Sequence, residues 1–169
     1  MKQASVKPDL KALLRRLLEH DVEFVVIGAF ASAFHGGTLL TQDVDICCAF
    51  TSRNLLKLQE AIADLYPVHR LTPKRLPLEL TREGCRGLKN LHLETDLGVL
   101  DCLSEVLGVG GYRAVKRQSV LIDTAFGECR VLELDALIKA KRAMNRPRDR
   151  EALVQLEAIR ARKSGHTRS

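Results

Sequence analysis

Tryptophan is absent from this sequence, and aromatic residues make up only 4% of it. An aliphatic core is therefore expected, without the stacked aromatic platforms that hold single-stranded nucleic acid or flat sugar rings. No eighteen apolar residues run together, and the first twenty lack the uninterrupted apolar stretch of a signal peptide, so a cytoplasmic protein with no membrane partner is expected. The five cysteines (Cys47, Cys48, Cys85, Cys102, Cys129) are odd in number and form no Cys-x-x-Cys pair, which reads as small buried thiols rather than a disulfide framework. The five histidines contain no His-x-x-x-His pair, so zinc is not indicated. Gly-x-x-x-x-Gly-Lys-Ser/Thr is also missing, which excludes a P-loop, and Gly108-Val109-Gly110-Gly111 lacks dinucleotide-fold spacing and reads as a turn.

What is present suits one folded domain. The chain has 169 residues, 46% hydrophobic and 28% charged, close to the soluble globular average. Residues 1–163 are expected to form the domain and 164–169 a mobile tail. Lys and Arg total 27 against 21 acids, a net charge of +6 that favours polyanionic partners such as nucleotides or RNA.

Periodicity places the elements. Leu10, Leu13, Leu14, Leu17 and Leu18 recur at helical spacing after Pro8-Asp9. Glu23 to Ile27 is a short strand ending at Gly28, and Ala29, Ala31, Ser32 and Ala33 predict a tightly packed helix closed by His35-Gly36-Gly37, with His35 as its C-cap. Val44 to Phe50 reads as a buried strand, followed by a helix capped by Ser52 that runs to the break at Pro67. Residues 67–90 hold three of the five prolines and are expected as either an irregular excursion or short edge strands. Leu91 to Glu94 and Val99 to Leu103 meet at a turn, as do Val120 to Ile122 and Cys129 to Leu134; two helices follow, Leu134 to Met144 and Asp149 to Ile159, with Asp149 as a cap. The fold class is mixed α/β.

The chemistry is carried by Thr41-Gln42-Asp43-Val44-Asp45-Ile46. Side chains alternate along a strand, so Asp43 and Asp45 project from one face a few ångströms apart. Carboxylates so placed repel unless a cation neutralises them, and hard oxygen ligands select Mg²⁺ or Mn²⁺. The same pair also fits a solvated strand end carrying two ordinary acids. Two further features favour the metal: Gly28-Ala29 opens a helix directly from a strand, where backbone N–H groups can approach phosphate, and Asp101 is a third acid inside the apolar run Val99 to Leu103. Three acids beside an anion cradle resemble a two-metal phosphoryl-transfer site.

These residues resemble a known family. Phe24 to Ile46, with a hydrophobic-Gly-small turn, a gap of thirteen residues and then Asp-Val-Asp-Ile, is similar to the polymerase-β-like nucleotidyltransferase superfamily, particularly small prokaryotic members akin to abortive-infection (AbiEii-type) toxins. Leu97-Gly98-Val99-Leu100-Asp101, Leu137 to Ala143 and Arg146-Pro147-Arg148-Asp149 match that family in order. The resemblance implies a short mixed sheet flanked by helices, with a C-terminal helix pair. It implies transfer of a nucleoside monophosphate from an NTP to a hydroxyl on RNA, protein or a small molecule, with Mg²⁺ or Mn²⁺. Asp43 and Asp45 would be metal ligands, Asp101 the third carboxylate that assists metal binding or deprotonates the acceptor, and Gly28 and Ala29 the phosphate-contacting turn.

The sequence also departs from the family pattern. Ala29 stands where relatives usually carry Gly or Ser, keeping the backbone donor but lacking a hydroxyl, for which Ser32 one turn on is the partial stand-in, and leucine fills position 39, where relatives often carry arginine. Lys141 aligns with the family's basic residue after Leu-Ile and would contact the triphosphate, with Arg146 and Arg148 as weaker candidates. The basic set Lys139, Lys141, Arg142, Arg146, Arg148 and Arg150 equally suits RNA contact or a solvated helix surface. A catalytically degenerate relative that binds nucleotide, RNA or a partner protein is the alternative reading.

Overall fold

The computed structural model describes residues 7–38 and 41–165. Helix α1 (Leu10–Glu19) forms where the leucines recur, and Leu13, Leu14 and Leu17 are fully buried. Each such leucine contributes about 1.5–3 kcal/mol of transfer free energy. Asp9 lies outside the helix as its cap, accepting from Ala12 N at 3.0 Å. Strand β1 (Phe24–Ile27) is buried throughout and enters α2 (Gly28–Phe34) with no intervening loop. His35 closes α2 as expected, its Nε2 lying 2.8 Å from Leu132 O.

Strand β2 (Asp43–Cys48) leads to α3 (Ser52–Ile62). The cap of α3 is Thr51 rather than Ser52, because the Thr51 hydroxyl accepts from Asn54 N at 3.2 Å while Ser52 Oγ donates to Arg82 O. Buried Asn54 then joins β1 to β2, accepting from Glu23 N at 2.7 Å and donating to Glu23 O and Ala49 O. The proline-rich segment resolves into both expected forms. A two-residue edge strand, β3 (Val68–His69), begins it, and irregular chain pinned by Gln59 against Leu80 completes it.

Strands β4 (Asn90–Thr95) and β5 (Gly98–Leu103) make a hairpin around Asp96-Leu97. A small ribbon follows, β6 (Glu105–Val106) with β7 (Gly110–Gly111), then α4 (Tyr112–Arg117), which the sequence pattern did not predict. The glycines of that turn have a packing reason: a Cβ on Gly108, at φ +82, would meet Ala143 Cβ at 2.8 Å and Lys139 O at 3.0 Å. Strands β8 (Ser119–Thr124) and β9 (Gly127–Leu132) form a second hairpin, followed by α5 (Leu134–Met144) and α6 (Pro147–Gly165). Helix α6 starts two residues before the expected Asp149 cap, with Pro147 at its first position, where the missing N–H costs nothing. The expected tail begins inside α6, and 166–169 lie outside the described residues.

The seven-stranded sheet has the order β3-β4-β5-β2-β1-β9-β8. It is mixed: β2 runs parallel to β5 and β1 to β9, and the other neighbours are antiparallel. Helices flank it, and α5 with α6 forms the C-terminal pair. All five cysteines are buried free thiols. Among the described residues no helix is long and apolar enough to cross a membrane.

Candidate active site

Register across the sheet assembles one row of side chains. Ile27 pairs with Asp45 between β1 and β2, Asp45 with Asp101 between β2 and β5, and Asp101 with His92 between β5 and β4. Paired residues share a sheet face, so Asp45, Asp101 and His92 project to the same side, and Asp43 joins them two residues back along β2. Val44 and Ile46, on the opposite side of β2, are fully buried. All three acids line one trough of about 920 Å³, together with Ala29, Arg70, Lys141, Arg146 and Arg148. A deeper recess of about 300 Å³ shares Asp45, Asp101 and those four cations, and continues between Leu103, Val106, Leu137 and Met144.

The strand-to-helix turn lies against this row. Gly28 has φ +71, and a Cβ there would collide with the Asp45 carboxylate, its Cβ and Cγ being 3.1 Å away. Glycine is therefore required twice, by the backbone conformation and by the carboxylate packed on it. Gly28 and Ala29 both line the cleft. Ser32 lines neither cavity; it is buried, and its hydroxyl turns back along α2 to donate to Gly28 O at 3.3 Å.

The opposite wall comes from the helix pair. Asp149, fully buried at the start of α6, accepts from Arg146 N at 3.1 Å, from Arg146 Nε at 2.6 Å and from Lys141 Nζ at 3.3 Å. The Arg146 hydrogen bonds, ahead of the backbone and Lys141 contacts, hold the Asp149 carboxyl down at about 2. This clamp fixes Lys141, whose side chain is 14% exposed, facing the acids across the cleft. Arg148 also lines the cleft but has no ion-pair partner among the described residues. Arginine is thus supplied from α6, whereas Leu39, at the family's arginine position, lies outside the described residues.

Electrostatically the acids are unequal. Asp45 is pushed up from 3.8 to about 6, first by burial and then by the charges of Asp101 and Asp43, against the lowering effect of Lys141 and Arg148. Asp101 is neutralised from the side: Arg70 holds it bidentately, with Nη2 at 2.8 Å from Oδ1 and 2.7 Å from Oδ2, and His92 Nδ1 lies 3.0 Å from Oδ1. The same hydrogen bonds raise the pKa of Arg70. Asp43 and Asp45 have no ion-pair partner among the described residues, so two hard-oxygen donors face a cleft of basic side chains without a direct counter-ion. That donor set fits one divalent cation. Among the described residues no three His, Cys, Asp or Glu side chains are placed to hold a metal ion together.

Arg70 and His92 were not among the residues singled out by sequence. His92 was recoverable, because a two-residue turn at Asp96-Leu97 puts it opposite Asp101. Arg70 was not, since it follows a two-residue strand inside the proline-rich stretch and is set by its N–H bond to His92 O at 3.0 Å.

No protein-family model matches the sequence, and no curated protein matches it. Solved structures do. TM1012 of Thermotoga maritima, a candidate nucleotidyltransferase, superimposes with a TM-score of 0.56 at 16% identity, over 86% of this chain and 88% of its own. ANT(2'')-Ia, solved with adenylyl-2''-tobramycin, gives 0.51 at 16% identity over 94% and 96%. A nucleotidyltransferase-like protein of Paracoccidioides brasiliensis gives 0.51 at 11% identity over 87% and 73%. The likeness at these identities is one of fold, and it agrees with the mixed sheet flanked by helices and the terminal helix pair: this chain has the nucleotidyltransferase fold.

Proposed function

We propose that the protein is a cytoplasmic nucleotidyltransferase that moves a nucleoside monophosphate from an NTP to a hydroxyl acceptor. The observation that carries this reading is the Asp43–Asp45 couple, without an ion-pair partner among the described residues, set beside the Gly28-Ala29 turn and facing Lys141 and Arg148 across one cleft. Asp43 and Asp45 would hold a Mg²⁺ or Mn²⁺ ion, which when bound neutralises phosphate charge. The Gly28-Ala29 turn approaches the phosphates without a side chain in the way. Lys141, held in place by Asp149, and Arg148 draw in the triphosphate. The acceptor oxygen forms a bond to the α-phosphorus, the bond to pyrophosphate breaks, and the acceptor proton passes to His92, oriented by Asp101. The compound bound to ANT(2'')-Ia, adenylyl-2''-tobramycin, carries an adenylyl group on a small molecule, which fits the same class of transfer.

The acceptor is RNA, a protein or a small molecule, and the abortive-infection toxins are the subgroup that the motifs resemble. Incubation with each NTP labelled at the α- or the γ-phosphate, together with cellular RNA and lysate, tests the reading. Label from the α-position should appear on the acceptor and label from the γ-position in pyrophosphate. Acceptor labelling from the γ-position would instead make the protein a kinase. The bidentate hold of Arg70 on Asp101 favours a second reading, nucleotide binding without transfer. Calorimetric NTP binding without pyrophosphate release would select it.

A further inference from the structure

The carboxylate that faces Asp45 across the strands is already engaged. Asp101 Oδ1 accepts from Arg70 Nε at 3.2 Å and Nη2 at 2.8 Å and lies 3.0 Å from His92 Nδ1, while Oδ2 accepts from Arg70 Nη2 at 2.7 Å. The acceptor positions of Oδ1 are filled by these contacts. A guanidinium stays charged at any working pH, and its planar fork matches a carboxylate. Arg70 is also anchored through its backbone, its N–H donating to His92 O at 3.0 Å, directly after β3 pairs Val68 with Glu94 and His69 with Leu93 on β4. Its side chain is 27% exposed and that of Asp101 11%, so the pair sits in the wall of the cleft rather than in bulk water.

Asp43 and Asp45 contrast with this, having no counter-charge within ion-pair distance among the described residues. A two-cation centre holds its ions about 3.5–4 Å apart, and Asp101 is the third carboxylate of the trough, the one left to hold a second ion beside Asp43 and Asp45. We propose that Arg70 stands in for a second cation at Asp101, so that this centre takes one divalent cation, on Asp43 and Asp45, together with the nucleotide. The proposal rests on the functional reading above. It makes Arg70 a positioning residue: it contributes a fixed positive charge at Asp101 and keeps that carboxylate from recruiting an ion. Cation dependence should then follow single-site saturation.

The test counts Mn²⁺ bound per chain, by equilibrium dialysis with electron paramagnetic resonance of the free ion, in the stoichiometric complex with a non-hydrolysable NTP analogue. The wild type should hold one Mn²⁺, and Asp45→Asn should lose it. Arg70→Ala should hold two, and the second should disappear again in Arg70→Ala/Asp101→Asn. Arg70→Gln keeps a hydrogen-bond donor at Asp101 without the charge, and should also hold two if Arg70→Ala is poorly folded by circular dichroism. Two ions in the wild type would overturn the inference while leaving the functional reading intact. One ion in a folded Arg70 variant would overturn it as well, since Arg70 would not be what excludes the second. No ion in the wild type would defeat the cation reading itself.

Discussion

Replacing Asp45 with asparagine should make the cation-free protein more stable and at the same time abolish its response to cations. The Asp45 carboxyl is displaced from 3.8 to about 6, chiefly by burial and then by Asp101 and Asp43. At about 1.4 kcal/mol per pKa unit, the ionised form carries roughly 3 kcal/mol of strain near neutral pH. Because the folded pKa lies above the unfolded one, the favourable contribution of this group is complete below about pH 4 and is lost as pH rises through about 6. Asparagine has nearly the same shape and no charge. At about pH 7.5 it should therefore raise stability by up to ~3 kcal/mol, or roughly 6–12 °C in Tm for a chain of this size, with the difference shrinking toward zero near pH 4. Mg²⁺ or Mn²⁺ binds the folded state selectively and should raise the wild-type Tm, more at about pH 7.5 than at about pH 5.5, but leave Asp45→Asn unmoved. Differential scanning calorimetry at both pH values, with and without cation, measures all of this. An Asp45→Asn protein less stable than wild type near neutral pH without cation would refute the argument, because that is how a carboxylate with satisfied partners behaves.

Three other perturbations probe the cleft. Gly28→Ala should cost about 1–3 kcal/mol in chemical denaturation, since it strains a residue at φ +71 and drives a methyl group into the Asp45 carboxylate; an unchanged midpoint would mean the turn is not built as described. Asp149→Ala should cost about 2–3 kcal/mol, toward the low side of a broken buried ion pair because Arg146 is 45% exposed, and it should weaken NTP binding by freeing Lys141; calorimetry and thermal unfolding of the same sample check both. Arg148→Ala, at an exposed side chain with no ion-pair partner among the described residues, should weaken NTP binding by about 1–3 kcal/mol with no loss of Tm, and unaltered affinity would remove it from the triphosphate site.

The parts of this architecture that follow a period or a punctuating glycine were legible from the residues. The leucine spacing of α1, the β1-Gly28-α2 passage, the alternation that puts Asp43 and Asp45 on one face, and both hairpins all appear where pattern places them. Lys141 and Asp101 reach the cleft with them. What stayed hidden is set by tertiary contact. The six-residue α4 is too short to show a period, and β7 is two glycines held by a ribbon. Asp149 has the sequence signature of a cap, yet it is the buried anchor of Lys141 and Arg146, because Pro147 starts α6 earlier. Arg70 sits in chain without pattern, and nothing in its neighbours indicates that it will meet Asp101 thirty-one positions away.

The most direct test compares wild type with Asp43→Asn, a substitution on the cleft-facing side of β2 that keeps the shape of the strand and removes one charge from the proposed cation pair. Both proteins are given Mg²⁺, each NTP labelled at the α-phosphate, and total cellular RNA and lysate, with circular dichroism confirming equal folding. The account predicts that wild type transfers label to an acceptor, and that Asp43→Asn does so slower by orders of magnitude because charge stabilisation at the phosphoryl group is lost. Undiminished labelling by a folded Asp43→Asn protein would contradict it.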